Sequence, residues 1–345
     1  TNIQGVASFL EQYYDPSDLP IFWNKFGIDS TTVTKVPSNT PNGHGIEAEL
    51  DVEYVTAMGE KIATQVWYTA GRAPNNRANE PFLTWLLNVE NATNPPNLFS
   101  VSYGETETSV GISYGSRVNT ELAKLGTMGI SVLFASGDSG AGGNCTASKG
   151  QECPNFPTGS PFVTSVGGVY GGTAGKFPPG EKAWIDGGGG FSNYWGVQSW
   201  QKDAVTAYLN SNVDLPKGKF NESGRAYPDV SAQSVDYEIV VRGNTLGVSG
   251  TSCSTPTTSG IFSLLNDLRI QNNMSPLGFL NPFIYETAAK DSTAFNDCTL
   301  GYNDGCGGKA FPATDKWDAA SGWGSPNYGV LAKYVLQTGQ KTIKN

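Results

Sequence analysis

The sequence predicts an α/β protein whose mostly parallel central sheet is flanked by helices. Three observations predict it. Strand-like runs alternate with helical periodicities along the chain. The stretch 97–136 reads strand, helix, strand, a crossover unit that requires parallel pairing and a right-handed connection. No internal repeat, charge block or linker divides the 345 residues, so 1–345 reads as a single domain of a size that one large α/β unit can reach.

The elements follow in order. "GVASFLEQYY" opens the pattern, and "DPSDLPIFWNKFG" follows it as a helix that Asp15 or Ser17 can cap. From Ile46, "IEAELDVEYVTAMG" sets Leu50, Tyr54 and Met58 at steps of four, with Gly59 closing the helix. "ATQVWYTA" reads as a strand, "EPFLTWLLNVEN" as a helix and "NLFSVSYG" as a strand. A helix over about 108–127 turns Val118, Leu122 and Leu125 inward, and "ISVLFAS" returns as a strand ending in "GDSGAGG". The Gly-, Pro- and aromatic-rich segment 157–200 reads mainly as loop and hairpin. After Ser252, "TPTTSGIFSLLNDLRI" is a buried helix with Pro256 in its first turn, where proline is tolerated. "GVLAKYVLQTG" closes the chain as a short helix. In parallel sheets ligands gather beyond the carboxyl ends of strands, and both "SYG" and "SGDSG" fall there.

Composition narrows the function. The net charge is −9 and charged residues make up 15% of the chain, which argues against nucleic acid or an anionic membrane as partner. No apolar run approaches the 18 or so residues of a membrane span. No signal peptide opens the chain, so it is cytosolic or already processed. Four sequons, at Asn91, Asn144, Asn221 and Asn273, favour a processed, secreted glycoprotein. So do the cysteines: Cys145 with Cys153, and Cys298 with Cys306, each flank a short loop suited to a local disulfide, which leaves Cys253 as a small buried thiol. A zinc site is a poor fit, since there is no C-x-x-C pair and only one histidine.

The chemistry-bearing residues fall into three groups. Ser252, in "GVSGTSCSTPTTSG", opens the buried helix, where free N–H groups and the positive helix end can stabilise an oxyanion; a capped, Ser-rich turn is the plain alternative. Glu47 and Asp51 lie four apart on one helical face and would titrate as a pair; the alternative is a solvated acidic face, which Glu49 and Glu53 are expected to supply. Asp138 stands at a strand end among small residues, where it can bind a ligand or simply shape a turn. A base is needed for Ser252, and His44 is the one histidine. At pH 4 a histidine with a pKa of ~6.5 is neutral only about once in 300, whereas a glutamate near ~4.3 is about one-third ionised. An enzyme working in acid therefore gains from a Glu base, and His44, between two glycines, is expected to be a surface or loop residue.

Together, "GIEAELDVEY", "VSYG", "LFASGDSGAG" and "VSGTSCSTPTTSG" resemble, in this order, the motifs of the sedolisins, the serine-carboxyl peptidases. The resemblance spans essentially the whole chain, and "QGVASFLEQYYDPSDL" is similar to the secreted fungal tripeptidyl peptidases of that family. It implies a subtilisin-like fold and an acid-active peptidase that releases tripeptides from free N termini, with peptide or protein substrates. It implies Ser252 as nucleophile, Glu47 as base and later acid, Asp51 orienting Glu47, and Asp138 with the Ser252 N–H as the oxyanion hole. A carboxyl donates a hydrogen bond only when protonated, so acid becomes a requirement of that mechanism. Ser102, Tyr103 and Gly104 would form one edge of the substrate groove, with backbone bonds to an extended peptide. Gly137 would line it too, and the run ending at Gly190 would form another wall. One structural Ca2+ would sit in a subregion over 291–327, with side chains from Asp297 and Asp318 and carbonyls from Cys298, Thr314 and Lys316. The family pattern further implies a removable pro-domain and an N-terminal part of the mature domain beyond this chain, held as a cleaved second chain.

Other readings make different predictions. A sedolisin-type endopeptidase cuts N-terminally blocked peptides internally. A Ser-His-Asp triad through His44 peaks above pH 7. An acid glycoside hydrolase using paired carboxylates leaves the serine motif unexplained. A non-catalytic calcium-binding secreted glycoprotein leaves Ser252 inert to serine-reactive inhibitors.

Overall fold

A computed structural model of the chain describes residues 2–142, 151–173, 176, 180–305 and 307–339. Seven strands form the parallel part of its central sheet: β1 (Ile3–Ser8), β2 (Val33–Val36), β3 (Ala63–Tyr68), β4 (Leu98–Val101), β5 (Ser131–Ala135), β6 (Thr164–Gly171) and β7 (Val230–Gln233). Their spatial order is β7-β6-β5-β4-β1-β3-β2, and a short antiparallel strand, Glu181–Ala183, pairs with β6. Every other pairing in this sheet is parallel. The chain builds β1, β2 and β3 to one side, then crosses back to add β4 on the other flank of β1. That reversal is the switch point at which a crevice opens beyond the strand ends.

Side chains alternate across the sheet, as the pleat demands. Leu98 and Leu133 pack with Phe262 and Leu265 of α5 (Thr251–Gln271). Their neighbours Phe99 and Phe134 pack on the opposite side with Trp85 of α3 (Phe82–Glu90) and Val118 and Leu122 of α4 (Ile112–Thr127). Helix α2 (Ile46–Met58) lies on the α5 side, against α1 (Asp18–Phe26) and the hairpin formed by Tyr237–Val241 and Asn244–Val248. The α/β class, the parallel sheet and its flanking helices are as the sequence predicts. Among the described residues no helix is long and apolar enough to cross a membrane.

Several local expectations are corrected. The helix expected over 108–127 is interrupted at Gly111, which takes φ 74° and separates a single turn, Glu107–Val110, from α4. Val118, Leu122 and Leu125 are buried as expected. The segment 157–200 contributes β6, an inner strand of the sheet. Its glycines conceal the strand pattern, and they are needed there: a Cβ on Gly167 or Gly168 would lie 2.6 Å from Ser231 Oγ or Ser234 Oγ. Glu49 and Glu53 do not form a solvated face; both are fully buried. Helix α2 is enclosed on nearly every side, so its acids meet backbone donors instead of water. Glu49 Oε1 accepts the Asp15 N–H at 2.7 Å, and Glu53 accepts the Val240 N–H through both oxygens.

One buried ion pair ties the far side of the molecule together. Arg225 Nη2 lies 2.6 Å from Asp229 Oδ2, with both side chains fully buried. Asp229 also accepts the Ser165 N–H of β6, the Tyr285 hydroxyl and the Asn281 amide. Both Tyr285 and Asn281 belong to α6 (Asn281–Lys290). Each charge is thus surrounded by partners, the condition under which such a pair survives desolvation.

Candidate active site

The carboxyl ends of β1, β4 and β5 and the start of α5 enclose a cleft of about 390 Å3. Leu10 and Gln12 follow β1; Ser102, Tyr103 and Gly104 follow β4; Ser136, Gly137 and Asp138 follow β5; and Thr251 and Ser252 open α5. Glu47, Glu80, Ala135, Asn155 and Thr158 complete the lining. Six of the expected residues, Glu47, Ser102, Tyr103, Gly104, Gly137 and Asp138, therefore share one crevice with Ser252.

Ser252 sits in the first turn of α5, where N–H groups lack intrahelical acceptors. Its own N–H has no acceptor among the described residues. The neighbouring Thr251 N–H is already used: it donates to Asp138 Oδ1 at 2.7 Å, and the Thr251 hydroxyl donates to the same oxygen at 2.8 Å. That hydroxyl accepts the Gly137 N–H at 3.0 Å. Thr251 thus clamps the Asp138 carboxyl over the helix start. Gly250 leaves room for it, since a Cβ there would stand 2.9 Å from Asp138 Oδ2. Gly137 has φ 110°, and its Cβ would meet Asn155 Nδ2 at 2.3 Å, so a side chain is excluded on both counts.

The Ser252 hydroxyl stands beside the Glu47 carboxyl and favours its charged form. Glu47 and Asp51 both rest on α2, one turn apart. Ser102 donates its hydroxyl to Asp51 Oδ1 at 2.6 Å and lies close enough to Glu47 to favour its charged form as well. Burial pushes the Glu47 carboxyl well above its ordinary range, against the pull of the Ser252 and Ser102 hydroxyls, with Asp138 adding to the rise. Asp51 is raised as well, first by burial and then by the Glu47 charge. Asp138 opens to the cleft, yet the protein on its inner side raises it too, against the two Thr251 bonds. All three carboxyls are therefore biased towards their protonated forms. Like charges this close do not ionise together, so Glu47 and Asp51 titrate as a pair.

Other expected residues lie elsewhere. Gly190 is not part of the cleft lining; it packs on Glu152 and Phe311, which a Cβ would strike, and its φ of 145° favours glycine. His44 is a half-buried loop residue whose Nδ1 lies 3.0 Å from Asp18 Oδ2. It does not line the cleft. Sequence reasoning missed three contributors: the Ser102 side chain, read only for its backbone; Thr251, which holds Asp138; and Glu80. The "TS" pair at a helix start was a usable signal for Thr251.

Two groups of residues have cation-binding character. Asp18, His44 and Glu49 place ligand atoms within 4.8 Å of one another, but Asp18 already accepts the Arg242 and Gly243 N–H groups. At the expected calcium loop, Asp318 is buried and Asp297 Oδ1 is buried with no hydrogen-bond partner. Burial raises Asp297 to about 6 and Asp318 to about 7. Thr314 N–H donates to Asp318 and Lys316 N–H to Asp297, at 3.0 and 2.6 Å, which folds the loop onto both carboxyls. Asp318 also accepts the Ala320 and Ser321 N–H groups and the Ser321 hydroxyl, so Asp297 Oδ1 is the oxygen of this pair that still lacks a partner and that a hard cation could take.

The expected Cys298–Cys306 bond is corrected. Cys298 is a free, buried thiol whose Sγ faces the carbonyls of Glu181 and Leu300, at 3.4 and 3.5 Å; Cys306 lies outside the described residues. Cys153 is disulfide-bonded, and its expected partner Cys145 lies outside the described residues. Cys253 is buried and free, as expected. Of the sequon asparagines, Asn91 and Asn273 are exposed, and Asn221 is half-buried with its amide donated to the Ser192 carbonyl. Asn144 lies outside the described residues.

A crevice at the switch point of a parallel sheet, holding a serine against paired carboxyls, is the arrangement of a subtilisin-like fold with acids in the histidine's place. The chain shares its fold with Pseudomonas sedolisin, a serine-carboxyl proteinase: 98% of this chain and 93% of that one superpose with a TM-score of 0.78 at 22% identity. In sequence it is similar to tripeptidyl-peptidase 1 of Bos taurus and of Mus musculus, at 42% and 43% identity over 97% of this chain. The chain spans 60% of the length of these relatives. No family model matches. The resemblance carried by the motifs thus holds in sequence and in fold: the chain is a homologue of tripeptidyl-peptidase 1 and has the fold of sedolisin.

Proposed function

We propose that this protein is an acid-active serine-carboxyl peptidase that hydrolyses peptide bonds and releases tripeptides from free N termini. The observation that carries this reading is the Ser252 hydroxyl beside Glu47, with Asp51 one turn along the same helix and Asp138 held by Thr251 at the start of the helix that Ser252 opens. Glu47 Oε1 and Asp51 Oδ2 are both buried without a hydrogen-bond partner. Two like charges this deep do not ionise together; with a single negative charge on the pair, a proton held on Asp51 would leave Glu47 as the acceptor for the Ser252 proton.

Ser252 Oγ then attacks the scissile carbonyl carbon, and Glu47 takes the hydroxyl proton. The carbonyl oxygen becomes an oxyanion that receives the Ser252 N–H and the protonated Asp138 carboxyl. Collapse breaks the C–N bond as Glu47 returns the proton to the leaving amine. Water, losing a proton to Glu47, hydrolyses the acyl ester and restores Ser252. Substitution of Glu47 by Gln tests the scheme: peptidase activity at pH 4 should be lost, and full activity in that variant would end it.

The same reading extends to the rest of the molecule. Asp297 and Asp318 would hold a structural Ca2+ with the carbonyls of Cys298, Thr314 and Lys316, within a subregion over 291–327 of one catalytic domain. The sequons and the Cys153 disulfide support a secreted setting, with Cys145 as the proposed bonding partner. A removable pro-domain is the proposed partner, beside peptide or protein substrates.

A further inference from the structure

The one histidine of the chain lies outside the cleft, among carboxyls that the peptide-bond chemistry does not use. His44 Nδ1 faces Asp18 Oδ2 at 3.0 Å. A Glu49 carboxylate oxygen completes a triangle whose ligand atoms all lie within 4.8 Å of one another. Three elements meet there: Asp18 opens α1, His44 stands in the loop before α2, and Glu49 lies in the first turn of α2. At the other edge of the ring, His44 Nε2 lies 3.9 Å from Asp15 Oδ2. Neither a C-x-x-C pair nor a second histidine announces the group in sequence, because only the fold assembles it.

Each carboxyl is held from behind. Asp18 accepts the Gly243 N–H through Oδ1 at 2.7 Å and the Arg242 N–H through Oδ2 at 2.9 Å, both from the turn of the hairpin over α2. These bonds use one lone pair on each oxygen, and the second pair on Oδ2 is left to face His44. Glu49 is fully buried; its Oε1 accepts the Asp15 N–H, while its Oε2 has no partner. Lys35 acts on Glu49 from nearby, but its ammonium is bonded to the Tyr14 and Pro41 carbonyls and to Asn42 Oδ1. Carboxylates oriented by N–H donors, with a further carboxylate behind the far ring nitrogen, are the outer shell that metal ligands carry. Burial and the Asp18 and Asp15 charges hold Glu49 towards its protonated form, so an ion bound here displaces a proton as it fills the gap.

The geometry points to a divalent transition-metal site, suited to Zn2+, formed by His44 Nδ1, Asp18 and Glu49. One imidazole nitrogen and two carboxylate oxygens, at about 2.0–2.2 Å, form a three-ligand zinc set with a fourth position for water. Donors in a tetrahedral shell stand about 3.4 Å apart, near the 3.0 Å already held between His44 and Asp18. Glu49 closes the rest by a side-chain movement. The His44 side chain is 29% exposed, so ion and water enter along its ring. The ion fastens α1 to the turn of α2 that also carries Glu47. Protons compete with zinc for imidazole and carboxylate, so the site fills in neutral medium and empties in acid.

The test titrates the full chain, stripped with EDTA and resupplied with saturating Ca2+, with Zn2+ by calorimetry at pH 7 and pH 4. Wild type should take up one Zn2+ at pH 7 with release of a proton, read from buffers of different ionisation enthalpy. Binding at pH 4 should be weaker by about 100-fold or more. His44→Ala should weaken binding at pH 7 about 100-fold, His44→Gln comparably, and Asp15→Asn about 10-fold. Zn2+ should raise the melting temperature of the wild type at pH 7 and leave that of His44→Ala where it was, the zinc-free melts showing that each variant folds. Zinc-edge X-ray absorption of the loaded wild type should show a single imidazole. No uptake by the wild type, equal uptake by His44→Ala, or an equal affinity for Mg2+ would each overturn the site.

Discussion

Ser102 at the end of β4 donates its hydroxyl to Asp51 Oδ1 on α2 at 2.6 Å, linking the central sheet to the helix that carries the paired carboxyls. The bond favours the charged forms of Asp51 and Glu47 against the burial that raises them. Ser102→Ala should therefore raise both carboxyls further. The acid limb of the kcat profile should move to higher pH, and kcat at pH 4 should fall about tenfold. An unshifted limb would remove Ser102 from the proton network.

Asp138 can serve an oxyanion only while protonated, so activity should fall as pH rises through its raised pKa. An amide donates at any pH. Asp138→Asn should accordingly keep more activity than Asp138→Ala, whose loss should be about 100- to 1000-fold in kcat. Its alkaline limb should also extend upwards. If the two variants lose activity equally and share the wild-type profile, Asp138 has some other role.

The buried acids make stability depend on pH with a definite sign. Glu49 is raised to about 8 and Glu53 to about 9, in both cases chiefly by burial. A carboxyl whose folded pKa exceeds its unfolded value near ~4.5 binds its proton more tightly when folded. The stability from these protons is fully present below about pH 4.5 and is lost as pH rises through 8 to 9. Melting temperature should decline over that window, and Glu53→Gln, which needs no proton, should flatten the decline. Calorimetry across pH 4 to 9 reads both.

Removing one member of the Arg225–Asp229 pair leaves an uncompensated charge inside the fold. Arg225→Met should cost about 3–5 kcal/mol in unfolding free energy, measured by urea titration. The double variant with Asp229→Asn should recover part of that loss, because an amide tolerates burial better than a lone carboxylate.

Calcium offers a test of the 291–327 loop. Added Ca2+ should raise the melting temperature of the wild type and should not do so in Asp318→Ala, since only the folded loop brings the two carboxyls together. An equal response in the variant would place the ion elsewhere.

Much of this was legible in the chain, for identifiable reasons. The helix of Glu47 and the strand ends at "SYG" and "SGDSG" carry strong local periodicity and sit where topology puts ligands. What failed was long-range. The burial of Glu53 depends on a hairpin at 237–248 that closes over α2 from nearly 200 residues away, and Glu49 is held by the chain at Asp15. Strand β6 reads as loop because its glycines answer to side chains of the neighbouring segment and not to strand propensity. Cys298 lies eight positions from its expected partner, yet its thiol turns inward to carbonyls, which spacing alone cannot foretell.

The crossing of α2 and α5 is closed by the absence of a side chain at Gly260, where a Cβ would lie 2.5 Å from that of Met58 and 2.6 Å from the Gly59 nitrogen. One helix bears the acids and the other the serine, so neither half of the machinery means anything until the two are pressed together. A partly built molecule therefore has no teeth. On the peptidase reading proposed above, maturity of the core and the capacity for harm arrive in the same event.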